Sequence, residues 1–297
     1  MALKAYGCVI KRRLKSWFKE NTAKYSFLAN IFIFLYKIFG RRPWSLGYNV
    51  YKFKKIKNVV EFHLGYFRQQ ELPRGYGYAL DERMVEYPWV FSRLKEREKI
   101  ILDAGATLNH WEILNLKYLR DRKVYISTIS YEQFYVISPH TPSYIFEDLR
   151  NSNFRDEFFD AIVCISTLEH IGMDNTFLYA SDETKKENSK YAYLDAIKEF
   201  KRVLKRDGTL YLTVPFGEYK NHRWFQVFDR EMVQKLIDWF LPSKSSIDYF
   251  KYENNQWQFS AQEQCKNGYV FDAYKERRNR NDFLASSQSV VCLELTK

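Results

Sequence analysis

A carboxyl and an imidazole stand side by side at Glu169 and His170, directly after the apolar run Phe158-Phe-Asp-Ala-Ile-Val-Cys-Ile165. A buried strand that stops abruptly in such a turn places an acid and a base where a ligand can reach them. Two more β-rich runs end in the same way. Lys99-Ile-Ile-Leu-Asp-Ala-Gly-Ala106 finishes in small residues, and Thr209-Leu-Tyr-Leu-Thr-Val-Pro215 runs on to Asn221-His-Arg-Trp-Phe-Gln226. In open α/β sheets ligands bind outside the carboxyl ends of the strands. Three such ends in one chain therefore point to a single small-molecule site. His170 is the leading candidate for a general base, because a positioned imidazole takes protons near neutral pH. Glu169 is the group that would orient it, bind a substrate hydroxyl or hold a metal. His222 is an alternative base, with Arg223 and Trp224 shaping an acceptor pocket.

The elements that would carry these residues alternate. Strands are expected at 99–102, 123–129, 143–146, 161–165 and 209–214, with late strands in 246–259 and 289–296. Between 190 and 205, Leu194, Ile197, Phe200, Val203 and Leu204 share one helical face. Gly208 suits a left-handed cap to that helix. Asp229 to Phe240 reads as another helix, capped by Asp229 and closed by Pro242. Asp81 to Arg97 reads as helical with a break at Pro88. Alternating β and α units imply a mostly parallel sheet covered on both faces. The last strand has little helix before it and so is open to entering antiparallel.

These landmarks resemble the class I S-adenosylmethionine-dependent methyltransferases, in particular the small-molecule type with an F-D-x-I/V strand followed by L-E-H. The resemblance covers residues 81–297. It implies a Rossmann-like, seven-stranded, mostly parallel sheet with helices on both faces. Ile101-Leu-Asp-Ala-Gly105 matches the first strand and its cofactor loop. Glu147-Asp-Leu149 matches the acidic end of the third, and Phe159 to His170 the fourth with its functional turn. Leu204 to Pro215 matches the helix–Gly–strand segment. The cofactor implied is S-adenosylmethionine, with Asp103, Ala104, Gly105, Ala106, Thr107, Thr128, Asp148, Leu149 and Ser166 around it. Small residues after the first strand let backbone approach the ligand closely. Asp103 is expected to orient the loop or accept from the ammonium group, and Asp148 to accept from the adenine amino group. Two positions depart from the family pattern. Thr107 and Asn109 replace the second and third glycines of D-x-G-x-G-x-G, and Thr128 stands where an acid meets the ribose diol. Glu132 is a substitute for that acid. Arg83 and Glu86 read as a surface ion pair, with the cofactor mouth as the alternative.

Charge divides the chain unevenly. Residues 1–60 hold fourteen Lys and Arg against the single acid Glu20, whereas the whole chain carries +11. The remainder is therefore close to neutral, and residues 1–80 read as a basic, aromatic, helical extension to the domain at 81–297. Its most apolar part, Tyr25 to Tyr36, is only twelve residues long, where a spanning helix needs about 20. Basic flanks with Trp17, Tyr25, Tyr36 and Trp44 fit a helix lying in an anionic membrane interface through residues 11–60. Packing on the protein's own core is the competing reading. Four scattered cysteines, without C-x-x-C or His/Cys spacing, exclude a zinc motif and a disulfide framework, which suits a reducing, cytoplasmic compartment. No phosphate-loop or G-x-S-x-G motif is present. The expected activity is O-methylation of a small-molecule, sugar or lipid-linked glycan acceptor. A nucleic-acid methyltransferase and a non-catalytic binding protein on the same fold are the alternatives.

Overall fold

The computed structural model describes residues 26–130, 141–178, 182–272 and 282–297. Its strands are β1 (Ile100–Ala104), β2 (Lys123–Thr128), β3 (Ser143–Phe146), β4 (Phe159–Ile165) and β5 (Leu204–Pro215). A two-residue pair follows, β6 (Lys220–Asn221) and β7 (Gln226–Val227), then β8 (Lys244–Glu253), β9 (Gln256–Ser260) and β10 (Ser289–Thr296). The main sheet runs β3-β2-β1-β4-β5-β10-β8-β9. β3, β2, β1, β4 and β5 pair in parallel, while β10 enters antiparallel between β5 and β8. The sheet thus has eight strands where seven were expected. The extra one is β9, a hairpin partner of β8.

The longer helices are α1 (Ser26–Ile38), α2 (Tyr48–Phe62), α3 (Arg83–Arg93), α4 (Tyr193–Val203) and α5 (Arg230–Phe240). They cover both faces. On β4, Ala161, Val163 and Ile165 face a cluster containing Val85 and Trp89 of α3. Ile162 and Cys164 face the opposite cluster, with Ile197 and Phe200 of α4 and Leu236 of α5. A strand buried on both faces reads as a continuous apolar run because its alternation is hidden. α5 is capped as expected, with Asp229 Oδ1 accepting from Met232 N at 2.8 Å. Gly208 is not the expected left-handed cap. α4 ends at Val203 and Leu204 passes extended straight into β5, while the left-handed residue is Asp207, at φ 61°. Gly208 is small for another reason: a Cβ there would lie 2.8 Å from the Lys205 carbonyl oxygen.

The expected helical stretch from Lys11 begins, among the described residues, at Ser26. From Tyr36 onward the N-terminal segment shares the core of the sheet. Tyr36, Tyr48, Phe53, Ile56 and Phe67 join the cluster that holds Trp89 and Ile101. Lys52, in the middle of α2's buried face, pairs with Asp81 at 2.5 Å. Its ammonium also lies 5.1–5.4 Å from the rings of Tyr48, Trp44 and Phe53, the range of cation–π contact. Gly47 brings α1 and α2 together, since a Cβ on it would meet the Phe32 carbonyl oxygen at 2.2 Å.

Pro88 sits inside α3 and breaks nothing. Having no N–H, it leaves the carbonyl of residue 84 without its helical donor. The Tyr76 hydroxyl supplies that bond, at 2.6 Å to Met84 O. Both residues are buried. Tyr76→Phe strands the carbonyl, and urea unfolding should show a loss of about 1–3 kcal/mol. An unchanged midpoint would mean that the carbonyl finds another donor.

Candidate functional site

The β1 turn is built by Asp103. Its buried carboxyl accepts from Thr107 N at 3.0 Å, Thr107 Oγ1 at 3.2 Å and Leu108 N at 2.8 Å. Thr107 is thereby tied down by its own hydroxyl at a position where the family pattern has glycine. Gly105 and Ala106 take positive φ, 104° and 59°, and Gly105 N donates to Ser127 O at 2.8 Å. Asn109 Oδ1 accepts from the Tyr144 hydroxyl at 3.0 Å. The loop therefore closes without its second and third glycines.

A cavity of about 510 Å³ opens against this turn. Of the expected cofactor residues, Gly105, Thr107, Thr128, Asp148, Leu149 and Ser166 line it. Asp103, Ala104 and Ala106 do not; they support the turn from behind. Glu132 lies outside the described residues. Asp148 is gripped by Arg150, whose Nη2 lies 2.6 Å from Oδ2, and the same guanidinium bridges to Glu187 at 2.6 Å and 2.7 Å. Burial pushes the Asp148 carboxyl up, but these hydrogen bonds outweigh it and hold it below its ordinary value. Glu147 also lines the cavity, its carboxyl accepting from Ser127, Ser152 and Asn153.

A second cavity, of about 240 Å³, lies beyond. Its walls come from separate parts of the chain: Trp44, the Asp81–Arg83 stretch, Glu169, Trp224–Phe225, Val270–Asp272 and Ala285–Ser287. His170 lines both cavities. Its Nδ1 lies 2.8 Å from the Trp224 carbonyl oxygen, which can only accept. Nδ1 therefore carries the proton and Nε2 the lone pair. Burial, opposed by that hydrogen bond and reinforced by Arg83, lowers the imidazole to about 4, so it is neutral at physiological pH. Glu169 is 4% exposed, and its Oε2 has no hydrogen-bond partner among the described residues. Burial, with Glu86 and Glu82 nearby and Arg83 opposing, raises it to about 8. His222 lines neither cavity. It is buried under Phe225, ring centroids 4.4 Å apart, with Nδ1 3.8 Å from Asp272 Oδ2.

Residues 114–212 match the family model described as a methyltransferase domain. Over that stretch the chain carries a methyltransferase domain. S-adenosylmethionine is the cofactor this implies. No curated protein matches in sequence. Solved structures similar to the chain include a SAM-dependent methyltransferase from Archaeoglobus fulgidus, at 10% identity, 68% and 87% coverage of this chain and that one, and TM-score 0.43. Another, from Thermotoga maritima, has 12% identity, 82% and 100% coverage and TM-score 0.43. The [4+2]-cyclase SpnF is a third, at 14%, 81% and 92%, and 0.40. Likenesses at this level say nothing of activity.

The larger cavity of the methyltransferase fits its cofactor. Its volume lies within the ~300–1,000 Å³ range of small-molecule pockets. Ile129, Phe146, Leu149 and Leu178 offer apolar walls for a purine, and Thr128, Asp148 and Thr107 offer polar atoms for a diol and an amino acid. Asn175 also lines it. The Asn175 amide nitrogen is fixed to His170 O and Met173 O at 2.8 and 3.1 Å, while its buried Oδ1 has no partner among the described residues. That oxygen is placed to accept from a ligand N–H or O–H. The sequence carried a hint in its position five residues after His170, within the same turn. Of Arg83 and Glu86, read as a surface pair, Glu86 is instead buried and Arg83 half-buried. Glu86 is 0% exposed and bonds Ser166 Oγ and Thr213 Oγ1, each at 2.7 Å. At Gly105 an added Cβ would lie 2.2 Å from Thr167 Oγ1. Gly105→Ala should therefore weaken S-adenosylhomocysteine binding at least tenfold by calorimetry. Unchanged affinity would place the cofactor elsewhere.

Proposed function

We propose that this methyltransferase O-methylates a small-molecule, sugar or lipid-linked glycan acceptor held in the smaller cavity, with His170 taking the hydroxyl proton. The observation that carries the reading is the placement of His170 between the two cavities with Nε2 deprotonated. Bound S-adenosylmethionine supplies an electrophilic methyl on sulfonium. The chain's own residues then align and deprotonate. Thr107, Asp148 and Asn175 hold the donor from one side, and the walls around Glu82 and Trp224 hold the acceptor on the other. Proximity of this kind lowers the barrier of an in-line displacement. As the new O–C bond forms and the C–S bond breaks, the acceptor oxygen becomes strongly acidic. A weakly basic imidazole then suffices, and the proton passes to Nε2. Trp224 fixes the ring's tautomer throughout.

His170→Ala should lower release of S-adenosylhomocysteine, assayed over a membrane-lipid extract, by roughly 10²-fold or more, with cofactor affinity retained. Near-normal turnover would remove His170 from the proton transfer. The wild-type rate should show no loss from His170 protonation until pH falls toward 4, because its folded value is depressed. An absence of heat with S-adenosylmethionine would favour a non-catalytic binding protein on this fold.

The same reading puts the protein at the cytoplasmic face of an anionic membrane. In α1, Phe27, Ile31, Phe34 and Ile38 recur at helical spacing and are 76%, 40%, 62% and 55% exposed, while Ile33 and Tyr36 turn inward. A 13-residue helix is about 20 Å long, short of the ~30 Å apolar core of a bilayer. No helix among the described residues is long and apolar enough to cross a membrane. Such a stripe beside Lys37, Arg41, Arg42, Lys54 and Lys55 suits an in-plane position, where each cation contributes about 1 kcal/mol. Phe27→Glu/Phe34→Glu should abolish co-sedimentation with phosphatidylglycerol vesicles without lowering the melting temperature. Salt-sensitive RNA binding with no vesicle affinity would support the nucleic-acid alternative instead.

A further inference from the structure

The smaller cavity contains more polar chemistry than a methyl acceptor's single hydroxyl requires. Four carboxyls line it: Asp81, Glu82, Glu169 and Asp272. Asp81 is taken by Lys52 at 2.5 Å, and Asp272 stands beside His222. Glu82 Oε2 accepts from Ser287 N at 3.2 Å. That leaves Glu169, whose Oε2 is buried without a partner among the described residues. A stranded buried oxygen costs about 1–3 kcal/mol, and so points to a ligand that satisfies it. Around these acids stand the rings of Trp44, Trp224 and Phe271.

We infer that this cavity is a subsite for one sugar ring or small cyclic polyol, with Glu82 and Glu169 hydrogen-bonding neighbouring hydroxyls and the flanking tryptophans covering its C–H face. This rests on the proposed methyl transfer and names the acceptor's chemical class. The rival occupant of a cavity lined by acids and aromatic rings is an alkylammonium ion. The surroundings favour the polyol. Lys52 and Arg83 already supply two cations to these walls, and burial raises Glu82 to about 7 and Glu169 to about 8. A neutral carboxyl both donates and accepts, which is what a hydroxyl asks of its partner, whereas a cation asks for a carboxylate.

Saturation-transfer NMR tests this on the full chain, with methyl α-D-glucopyranoside, methyl α-D-mannopyranoside and myo-inositol as probes and propylammonium as competitor. At least one polyol should bind the wild type. Glu169→Gln, a neutral isostere that also donates and accepts, should bind it within about threefold, and Glu169→Ala at least tenfold more weakly. Trp44→Ala, a change in a half-exposed loop residue that leaves the sheet intact, should also weaken binding and guards against misfolding of the Glu169 variants. The inference is overturned if propylammonium binds and no polyol does, if none of the probes binds, if Glu169→Ala binds as the wild type does, or if Glu169→Gln fails as fully as Glu169→Ala. S-adenosylhomocysteine titration of the same samples separates the two readings. Polyol failure with intact cofactor binding sinks the subsite alone, whereas lost cofactor binding in the wild type sinks the methyl-transfer reading.

Discussion

One buried carboxyl joins the parts that make the site. Glu86 of α3 receives Ser166 Oγ from the end of β4 and Thr213 Oγ1 from β5, each at 2.7 Å, and pairs with Arg83. Ser166 has φ 39°, a left-handed conformation that costs a non-glycine residue about 1–3 kcal/mol. It is held there by Glu86 and by its own N–H on Thr213 O at 3.0 Å. The turn that carries Glu169 and His170 starts at the next residue. Whatever sets Ser166 therefore sets the acid and the imidazole. Removing one hydroxyl from such a buried set typically costs ~1–3 kcal/mol, because a polar group is left unsatisfied. The strain at Ser166 and the burial of Glu86 are stable only together.

The sheet was legible because its physics is local. β4 announces itself as an apolar run, α4 and α5 by one-faced periodicity, and β10 by β-branched residues; the expected 143–146 and 289–296 match β3 and β10 residue for residue. What was missed depends on distant partners. α2 has only a weak apolar period because Lys52 interrupts its buried face, and only the fold supplies the Asp81 and aromatic box that let a lysine be buried. The eighth strand had a local signature. Asn254 and Asn255, at φ 52° and 59°, form the two-residue turn that matches strand twist, yet 246–259 reads as one stretch when the turn is overlooked. Arg83 and Glu86, three apart on a helix, look like a solvated pair. No single-chain pattern says that two strand ends will present hydroxyls to them.

The candidate site was half legible for the same reason. Thr128, Asp148 and Ser166, which the family resemblance implied, and His170, singled out by its place after a strand, all line the larger cavity. Asp103, expected to orient the loop or to accept from the ammonium group, accepts in this structure from Thr107 and Leu108 of the loop. Asn175, Glu82 and Trp44 reach the cavities from turns whose course sequence spacing does not fix.

The two cavities differ in how they are built, and this divides the labour of the molecule. Most of the larger one is lined by residues between 128 and 187, largely inside the 114–212 match. The β1 turn at 103–109, with its altered glycines, lies just before that match. The smaller cavity draws Trp44, Lys52 and Asp81–Arg83 from one side of it and Pro215, Trp224, Val270–Asp272 and Ala285–Ser287 from the other. The larger cavity and the proposed acceptor cavity are thus built largely from different stretches of chain. His170 and Glu169 lie inside the matched stretch, yet the imidazole is held from outside it, through the Trp224 carbonyl, and the carboxyl shares its cavity with Arg83 and Glu82. On the methyl transfer proposed above, changes in the N-terminal segment or in the β6–β7 connection would alter which hydroxyl reaches the imidazole while leaving the larger cavity intact. The exposed apolar stripe of α1 and the cavity wall at Trp44 are only a few residues apart in sequence, so one segment carries both.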